Sequence, residues 1–246
     1  MTTPIATIFY DVIDSTNAEA RRRAEEGQAG PLWIAAGRQT AGRGRRGRTW
    51  ESPTGNLAAT LLLTTDKPPA EAAQLSFVAA LAAADAICEW IPPSLVRVKW
   101  PNDVMIGPEK VCGILVESGR TANEGLWVGI GIGINLASPP EVTERPATSF
   151  AAHLSAPPPA MEDVLEVLAE FFNEWVGLWS RLGFAPIADS WTARAYGLGQ
   201  PCTARLANET LEGIAEGLDE DGSLRLRLED GTHRRVTAGD VFFGEA

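Results

Sequence analysis

One eight-residue run constrains the fold more than any other: Val128-Gly129-Ile130-Gly131-Ile132-Gly133-Ile134-Asn135. β-Branched residues at alternate positions read as a strand. The two-residue period then puts three glycines on one face and the isoleucines on the other. A glycine face weakens a strand and packs nothing itself. It makes sense as the floor of a pocket or as a seat for a closely packed helix, and this segment alone leaves both open.

The rest of the chain supplies the partners of that strand. Ala6–Ile13, Leu32–Gly37, Asn56–Thr64, Val96–Trp100, Val104–Ile106, Val111–Glu117 and Leu126–Asn135 read as strands. Ala18–Glu26, Pro68–Trp90 and Met161–Leu182 read as helices, the second alanine-rich and the third amphipathic. Thr16-x-x-Glu19 has capping-box spacing, which makes Thr16 the expected N-cap. Pro139–Pro146 is a loop. Near Gly197 the pattern changes to short alternating stretches split by turn residues: Cys202–Leu206, Leu211–Leu218, Leu224–Leu228 and His233–Thr237. That is the pattern of a small β-barrel. The expected architecture is α+β: a mixed sheet packed with helices over residues 1–195, then a small barrel over residues 196–246.

Composition narrows the function classes. The 246 residues carry a net charge of −11, whereas general nucleic-acid binders are usually basic. No apolar run reaches the ~18 residues of a membrane span, and the N-terminus lacks the basic and apolar regions of a signal peptide. A cytoplasmic protein without a membrane partner is expected. Cys88, Cys112 and Cys202 are scattered, with neither disulfide nor zinc spacing. His153 and His233 are the only histidines, too few for a histidine-rich metal centre.

The cations are lopsided, with three lysines (Lys67, Lys99, Lys110) among 21 basic residues and five arginines between Arg38 and Arg48. Gly42-Arg43-Gly44-Arg45-Arg46-Gly47 formally matches the dinucleotide-binding pattern, but that reading needs a helix straight after the glycines. Trp50, Pro53 and Gly55 leave no room for one, and no P-loop pattern is present. Gln39–Gly55 is therefore an aperiodic loop, expected to be disordered when empty. Its glycines allow close approach to a ligand, and its arginines pair with phosphates and carboxylates. A lid over a polyphosphate is one reading and an RNA-binding or merely solvated loop is the other.

Two further clusters stand at strand ends. Lys99-Trp100-Pro101-Asn102-Asp103 places polar groups where a strand turns, and by itself is no more than a turn. Lys110-Val111-Cys112-Gly113-Ile114-Leu115-Val116-Glu117 opens with a lysine, and Gly113 leaves space against the sheet. Glu117 reads as a polar strand end. No Ser-His-Asp or Cys-His set is evident. Adenylation of a carboxylate needs none, because the carboxylate is already a nucleophile and the protein chiefly aligns it and neutralises charge.

Taken together in chain order, these blocks resemble the biotin–protein ligase family. Asp14-Ser15-Thr16-Asn17 is similar to its first pocket segment. Gln39-x-Ala41-Gly42-Arg43-Gly44-Arg45-Arg46-Gly47-Arg48-x-Trp50 resembles its signature loop. Lys99–Asp103 with Lys110-x-x-Gly113-Ile114-Leu115-x-Glu117 resembles the second block, and Gly131–Asn135 the third. Four ordered blocks are specific where one is not.

The resemblance implies a fold similar to class II aminoacyl-tRNA synthetases and biotin ligases, with an SH3-like C-terminal barrel. It implies that biotin and Mg-ATP give biotinyl-AMP and pyrophosphate, and that a lysine of a biotin carboxyl carrier domain then takes the biotin. Ser15, Thr16, Asn17 and Gln39 would meet the ureido ring, with Gly113, Gly131 and Gly133 flooring the pocket. Gly42, Arg43, Gly44 and Arg45 would close over biotin, and Arg43, Arg45 and Arg48 would meet the phosphates. Lys110 would bridge the biotin carboxylate and the α-phosphate, Asn135 would meet adenine, and Asp103 would help with Mg2+ or the acceptor lysine.

Family members that repress transcription carry an N-terminal DNA-binding domain. Here the first pocket segment starts at Asp14, so no sequence-specific DNA binding is expected. A homodimer is an open possibility. The rivals are a lipoate or octanoyl ligase or transferase of the same fold, disfavoured by the full Gly-Arg loop, and an RNA-binding module, disfavoured because Pro201–Ala246 holds more acids than arginines and no lysine.

Overall fold

The computed structural model of the chain describes residues 5–121, 125–141 and 146–244. Seven strands form the main sheet: β1 (Ala6–Tyr10), β2 (Leu32–Ala36), β3 (Leu57–Thr65), β4 (Val96–Lys99), β5 (Asp103–Ile106), β6 (Glu109–Arg120) and β7 (Leu126–Ile134). Their order is β1-β2-β3-β7-β6-β5-β4. Only β1 and β2 pair in parallel, and the other neighbours are antiparallel, so the sheet is mixed as expected. The glycine-alternating strand is β7, at the centre.

Helices cover both faces. The isoleucine face of β7 joins a continuous core with α3 (Leu75–Cys88) and α4 (Met161–Leu182). Because α3 is sandwiched between the sheet and α4, it is apolar all round rather than striped. The opposite face carries α1 (Thr16–Glu25), which seats Ala20 and Ala24 on Leu32, Ile34, Leu62 and Trp127. A Cβ at Gly129 would stand 3.6 Å from the Ala20 methyl, so one of the three glycines does serve helix packing.

Several boundaries differ from the sequence reading. The helix expected over Pro68–Trp90 is broken into α2 (Pro69–Ala72) and α3. Between Gly183 and Arg194, α5 (Ala185–Ala193) was not anticipated. It is short and opens with Pro186, and only Ile187 and Trp191, an i,i+4 pair, are buried. The N-cap of α1 is Ser15, whose hydroxyl accepts from the Ala18 N–H at 3.4 Å. Thr16 is the first helical residue, and Glu19 turns outward to Tyr10, Arg22 and Arg23. Part of the Pro139–Pro146 loop, residues 142–145, lies outside the described residues.

Beyond α5 five antiparallel strands form the second sheet: β8 (Pro201–Arg205), β9 (Thr210–Leu218), β10 (Leu224–Arg227), β11 (His233–Val236) and β12 (Asp240–Phe243). Their order is β11-β10-β9-β8-β12. The architecture is that of the expected small β domain, with β12 added to the four strands read from sequence. Among the described residues β11 and β12 do not pair, so no closed barrel forms. The two sheets share one core: the Trp100 indole N–H donates to the Gly222 carbonyl at 3.1 Å, and Gly222 packs on Phe77. Tyr196 N–H donates to the Val98 carbonyl at 2.7 Å, fastening the connecting segment to β4.

Candidate functional site

The glycine face of β7 opens into a cavity of about 520 Å³ between α1, the Gln39–Gly55 loop and the ends of β5 and β6. Two side chains close directly on its floor. A Cβ at Gly131 would overlap Asn17 Oδ1, and one at Gly133 would lie 2.5 Å from the Trp50 indole. Gly113 faces Gly133 across the β6–β7 pair, and its Cβ would meet Trp50 at 2.8 Å. Bare backbone at these positions is what lets the polar end of α1 and the Trp50 ring approach the sheet.

The inner end of the cavity is a hydrogen-bonded cluster. The buried Thr60 hydroxyl of β3 donates to Asn17 Oδ1 at 2.7 Å, with Thr16 Oγ1 2.8 Å away. Asn17 Nδ2 donates to Glu117 Oε2 at 2.8 Å. Gln39 Oε1 accepts from the Thr16 N–H at 2.8 Å, and its amide nitrogen donates to Ser52 at 2.9 Å. Buried polar groups cost several kcal/mol unless partnered, so these bonds fix both the amide orientations and the position of α1.

Lys110 reaches the site through a break in the strand pattern. On β5, Val104 pairs with Cys112 and Met105 pairs with Lys110, which leaves Val111 as a bulge. Without it the two-residue period would put Lys110 and Gly113 on opposite faces. With it Val111 and Cys112 both enter the core, and Lys110 lies beside Gly113. Its ammonium is 2.6 Å from Asp103 Oδ1 and 5.3 Å from the Trp50 ring centre. Burial pushes the Cys112 thiol well above its ordinary range, so it is a packing group beneath the site rather than a nucleophile.

The arginine loop follows a definite path over the cavity. Gly44 N–H donates to the Arg48 carbonyl at 2.8 Å, and Trp50 N–H to the Gly42 carbonyl at 3.0 Å, so residues 42–50 fold back on themselves. Arg43 pairs with Glu117 at 2.9 Å. Arg45 donates to Asn102 Oδ1 at 3.1 Å, and the Asn102 amide nitrogen donates to the Ile114 carbonyl. Arg48 donates to both Asp240 oxygens at 2.6 Å. Burial lowers the Arg45 pKa, opposed by Asp240 and Asp103. Glu117, Asn102 and Asp240 thus hold the loop at three points.

The cavity wall contains Ser15, Thr16, Asn17, Gln39, Arg43, Gly44, Arg45, Arg48, Asp103, Lys110, Gly113, Gly131, Gly133 and Asn135. Gly42 stands behind it, where a side chain would collide with the Trp50 carbonyl. A glycine there lets the loop fold closely against Trp50. Sequence reasoning passed over Thr60 and Asp240, and it placed Asn102 and Glu117 in the quoted blocks without giving either a role. Glu117, read as a mere strand end, joins α1 to the loop. Its signal was weak: a carboxylate on β6 three residues past Ile114, the last buried residue of the strand. Asn135 donates to the Thr148 carbonyl at 3.0 Å, while its buried Oδ1 meets no protein donor among the described residues.

A resident metal does not fit this donor set. Among the described residues no three His, Cys, Asp or Glu side chains cluster, and Asp103 is engaged by Lys110.

Comparison with known proteins agrees with this geometry. Residues 9–135 match the biotin/lipoate A/B protein ligase family, and residues 197–244 match the biotin protein ligase C terminal domain. The chain is 42% identical to the biotin–[acetyl-CoA-carboxylase] ligase of Paracoccus denitrificans, over 94% of this chain and 98% of that one. It is 32% identical to the bifunctional ligase/repressor BirA of Bacillus subtilis, over 96% of this chain and 74% of that one. Among solved structures, the biotin protein ligase of Aquifex aeolicus in complex with biotin and ATP superposes with a TM-score of 0.82 at 27% identity, covering 97% of this chain and 99% of that one. A bare glycine floor, an arginine loop folded over it and a lysine turned in by a bulge thus occur in a chain that belongs to the biotin/lipoate A/B protein ligase family, in its biotin protein ligase branch.

Proposed function

We propose that this chain adenylates biotin with ATP and passes the biotin to a lysine of a biotin carboxyl carrier domain, with acetyl-CoA carboxylase as the acceptor enzyme. The observation that carries the reading is the polar inner end of an otherwise bare cavity. A ureido ring needs both donors and acceptors, and Ser15, Thr16, Asn17 and Gln39 offer them above Gly131. The dithiolane of lipoate or the alkyl end of octanoate would cover that polar end without offering it a hydrogen bond, which a site built for polar contacts penalises.

In the first half-reaction a biotin carboxylate oxygen attacks the α-phosphorus of ATP. The bond from that phosphorus to the bridging oxygen breaks, and pyrophosphate leaves with the electron pair. Lys110 lies where it can neutralise both the carboxylate and the α-phosphate, while Arg43, Arg45 and Arg48 meet the polyphosphate. Asn135 Oδ1 offers an acceptor to the adenine amino group. Mg2+ accompanies the nucleotide and screens its phosphates. In the second half-reaction the acceptor amine, once deprotonated, attacks the acyl carbon and AMP leaves. Asp103 steadies Lys110 and offers an oxygen to the incoming ammonium. Residues 1–195 form the catalytic unit, with 196–246 as the appended domain. The acidic net charge of the chain supports a ligase that does not bind an operator.

The test is ATP–pyrophosphate exchange with biotin, lipoate and octanoate offered separately. Exchange with biotin alone is expected. Exchange with lipoate or octanoate instead would keep the fold and reject the pocket reading.

A further inference from the structure

The arginine loop is held at one point by the appended domain. Asp240 opens β12, the last strand of the second sheet, yet its carboxylate lines the catalytic cavity. It accepts from Arg48 at 2.6 Å through both oxygens and from Arg46 at 3.2 Å. These two arginines lie nearly two hundred residues earlier in the chain. The other two anchors of the loop, Glu117 and Asn102, belong to the first sheet and its turns.

The charge distribution explains why such an anchor matters. Arg43, Arg45, Arg46 and Arg48 fall within six residues, and the guanidiniums of Arg46 and Arg48 both act against the charge on half-buried Arg45. Asp240 is the largest favourable charge opposing them, with Asp103 next. A loop this cationic repels itself unless anions stand close by. Asp240 gathers two of its arginines at a side chain that is itself only 16% exposed, where solvent screens less than at the surface. Each guanidinium carries five N–H donors, more than one carboxylate can take up, so the contact is compatible with phosphate binding. β12 is in turn fixed by pairing with β8, and Phe243 of the same strand lies near Lys99 and Tyr196. The tether therefore ends on rigid structure.

We infer that Asp240 is a positioning residue of the adenylation site, through which the C-terminal domain holds the arginine loop closed over the acyl-adenylate. Its removal opens the loop without removing any group that touches biotin. The appended domain thereby sets how long the activated intermediate stays on the protein.

The inference rests on the adenylation reading, and the experiment separates the two. The full-length protein is loaded with biotin and Mg-ATP without acceptor, and loss of biotinyl-AMP is followed by rapid filtration. Asp240→Asn, which is isosteric, and Arg48→Gln, on the other side of the contact, are each expected to speed release about tenfold. The double variant is expected to speed release by less than the product of the two single effects, because both changes break the Asp240–Arg48 contact. Asp240→Glu is expected to restore slow release, and biotin binding in the absence of ATP is expected to stay within about twofold of the parent. Release at the parental rate in Asp240→Asn, or additive effects in the double variant, would overturn the inference. If the parent itself forms no biotinyl-AMP, the adenylation reading fails instead.

Discussion

Lys110 and Gly113 sit three positions apart on β6 yet point to the same side of the sheet, because Val111 bulges out of register with β5. The bulge makes the site: it delivers a cation to a surface from which the strand's own period would exclude it. Bulges commonly re-aim a side chain beside an active site.

Lys110→Ala should therefore remove the only lysine that lines the cavity among the described residues. Biotin-dependent ATP–pyrophosphate exchange should fall by roughly 10²–10³-fold, the scale seen when one transition-state charge partner is deleted. Near-parental exchange would show that an arginine of the loop carries the charge instead.

Gly131→Ala should abolish tight biotin binding. The new methyl has nowhere to go, since Asn17 is tied to Thr60 and Glu117. Calorimetric titration should show affinity weakened at least about tenfold, together with a lower Tm from the overpacked contact. Unchanged affinity would mean that α1 shifts freely, contrary to its bonding.

Thr60→Val keeps the shape of the side chain and deletes one buried hydroxyl. Stability should drop by about 1–3 kcal/mol because Asn17 Oδ1 is left without its donor. Urea unfolding with and without saturating biotin would measure it. A loss confined to the biotin-bound state would place the hydroxyl's role in recognition rather than in folding.

Arg45→Gly should loosen the loop at its Asn102 anchor and release biotinyl-AMP early. Gel filtration after a single turnover should find the adenylate in the small-molecule fraction, whereas equal retention would count against a lid.

Acid should act on the first pocket segment at an unusually low pH. Arg22, bonded to both carboxylate oxygens at 2.8 Å, holds the Asp14 pKa down to about 2. A carboxylate depressed in the folded state contributes stability above its unfolded pKa of about 3.9 and loses it as pH falls toward its folded value. Asp14→Asn should thus lower Tm at pH 5, with the difference shrinking between about pH 4 and pH 2. A constant difference across that window would show that the ion pair does not couple to folding.

Sequence made much of this legible. The Gly/Ile alternation of β7 marked a two-faced strand, and the clustered arginines marked an aperiodic loop suited to anionic groups, because both patterns are local. What stayed hidden was non-local or aperiodic. The β6 bulge leaves no mark in Lys110-Val111-Cys112, since its cause is register with another strand. α5 was obscured by its opening proline and a single buried i,i+4 pair. Glu117 and Asp240 look like ordinary surface acids until folding brings α1 and the arginine loop to them. Ser15 rather than Thr16 caps α1, because the Thr16 hydroxyl is drawn to Gln39 and Thr60.

The facing pair Gly113 and Gly133 bears on how such a site can change over generations. No substitution at either position can widen the space beneath the ligand, because there is no smaller residue to install. Every mutation there only subtracts room. A descendant that accepted a bulkier acid would have to be altered at the roof, in Trp50 or the arginine segment. The acyl specificity of such descendants should therefore vary with their loops while their central strands stay alike.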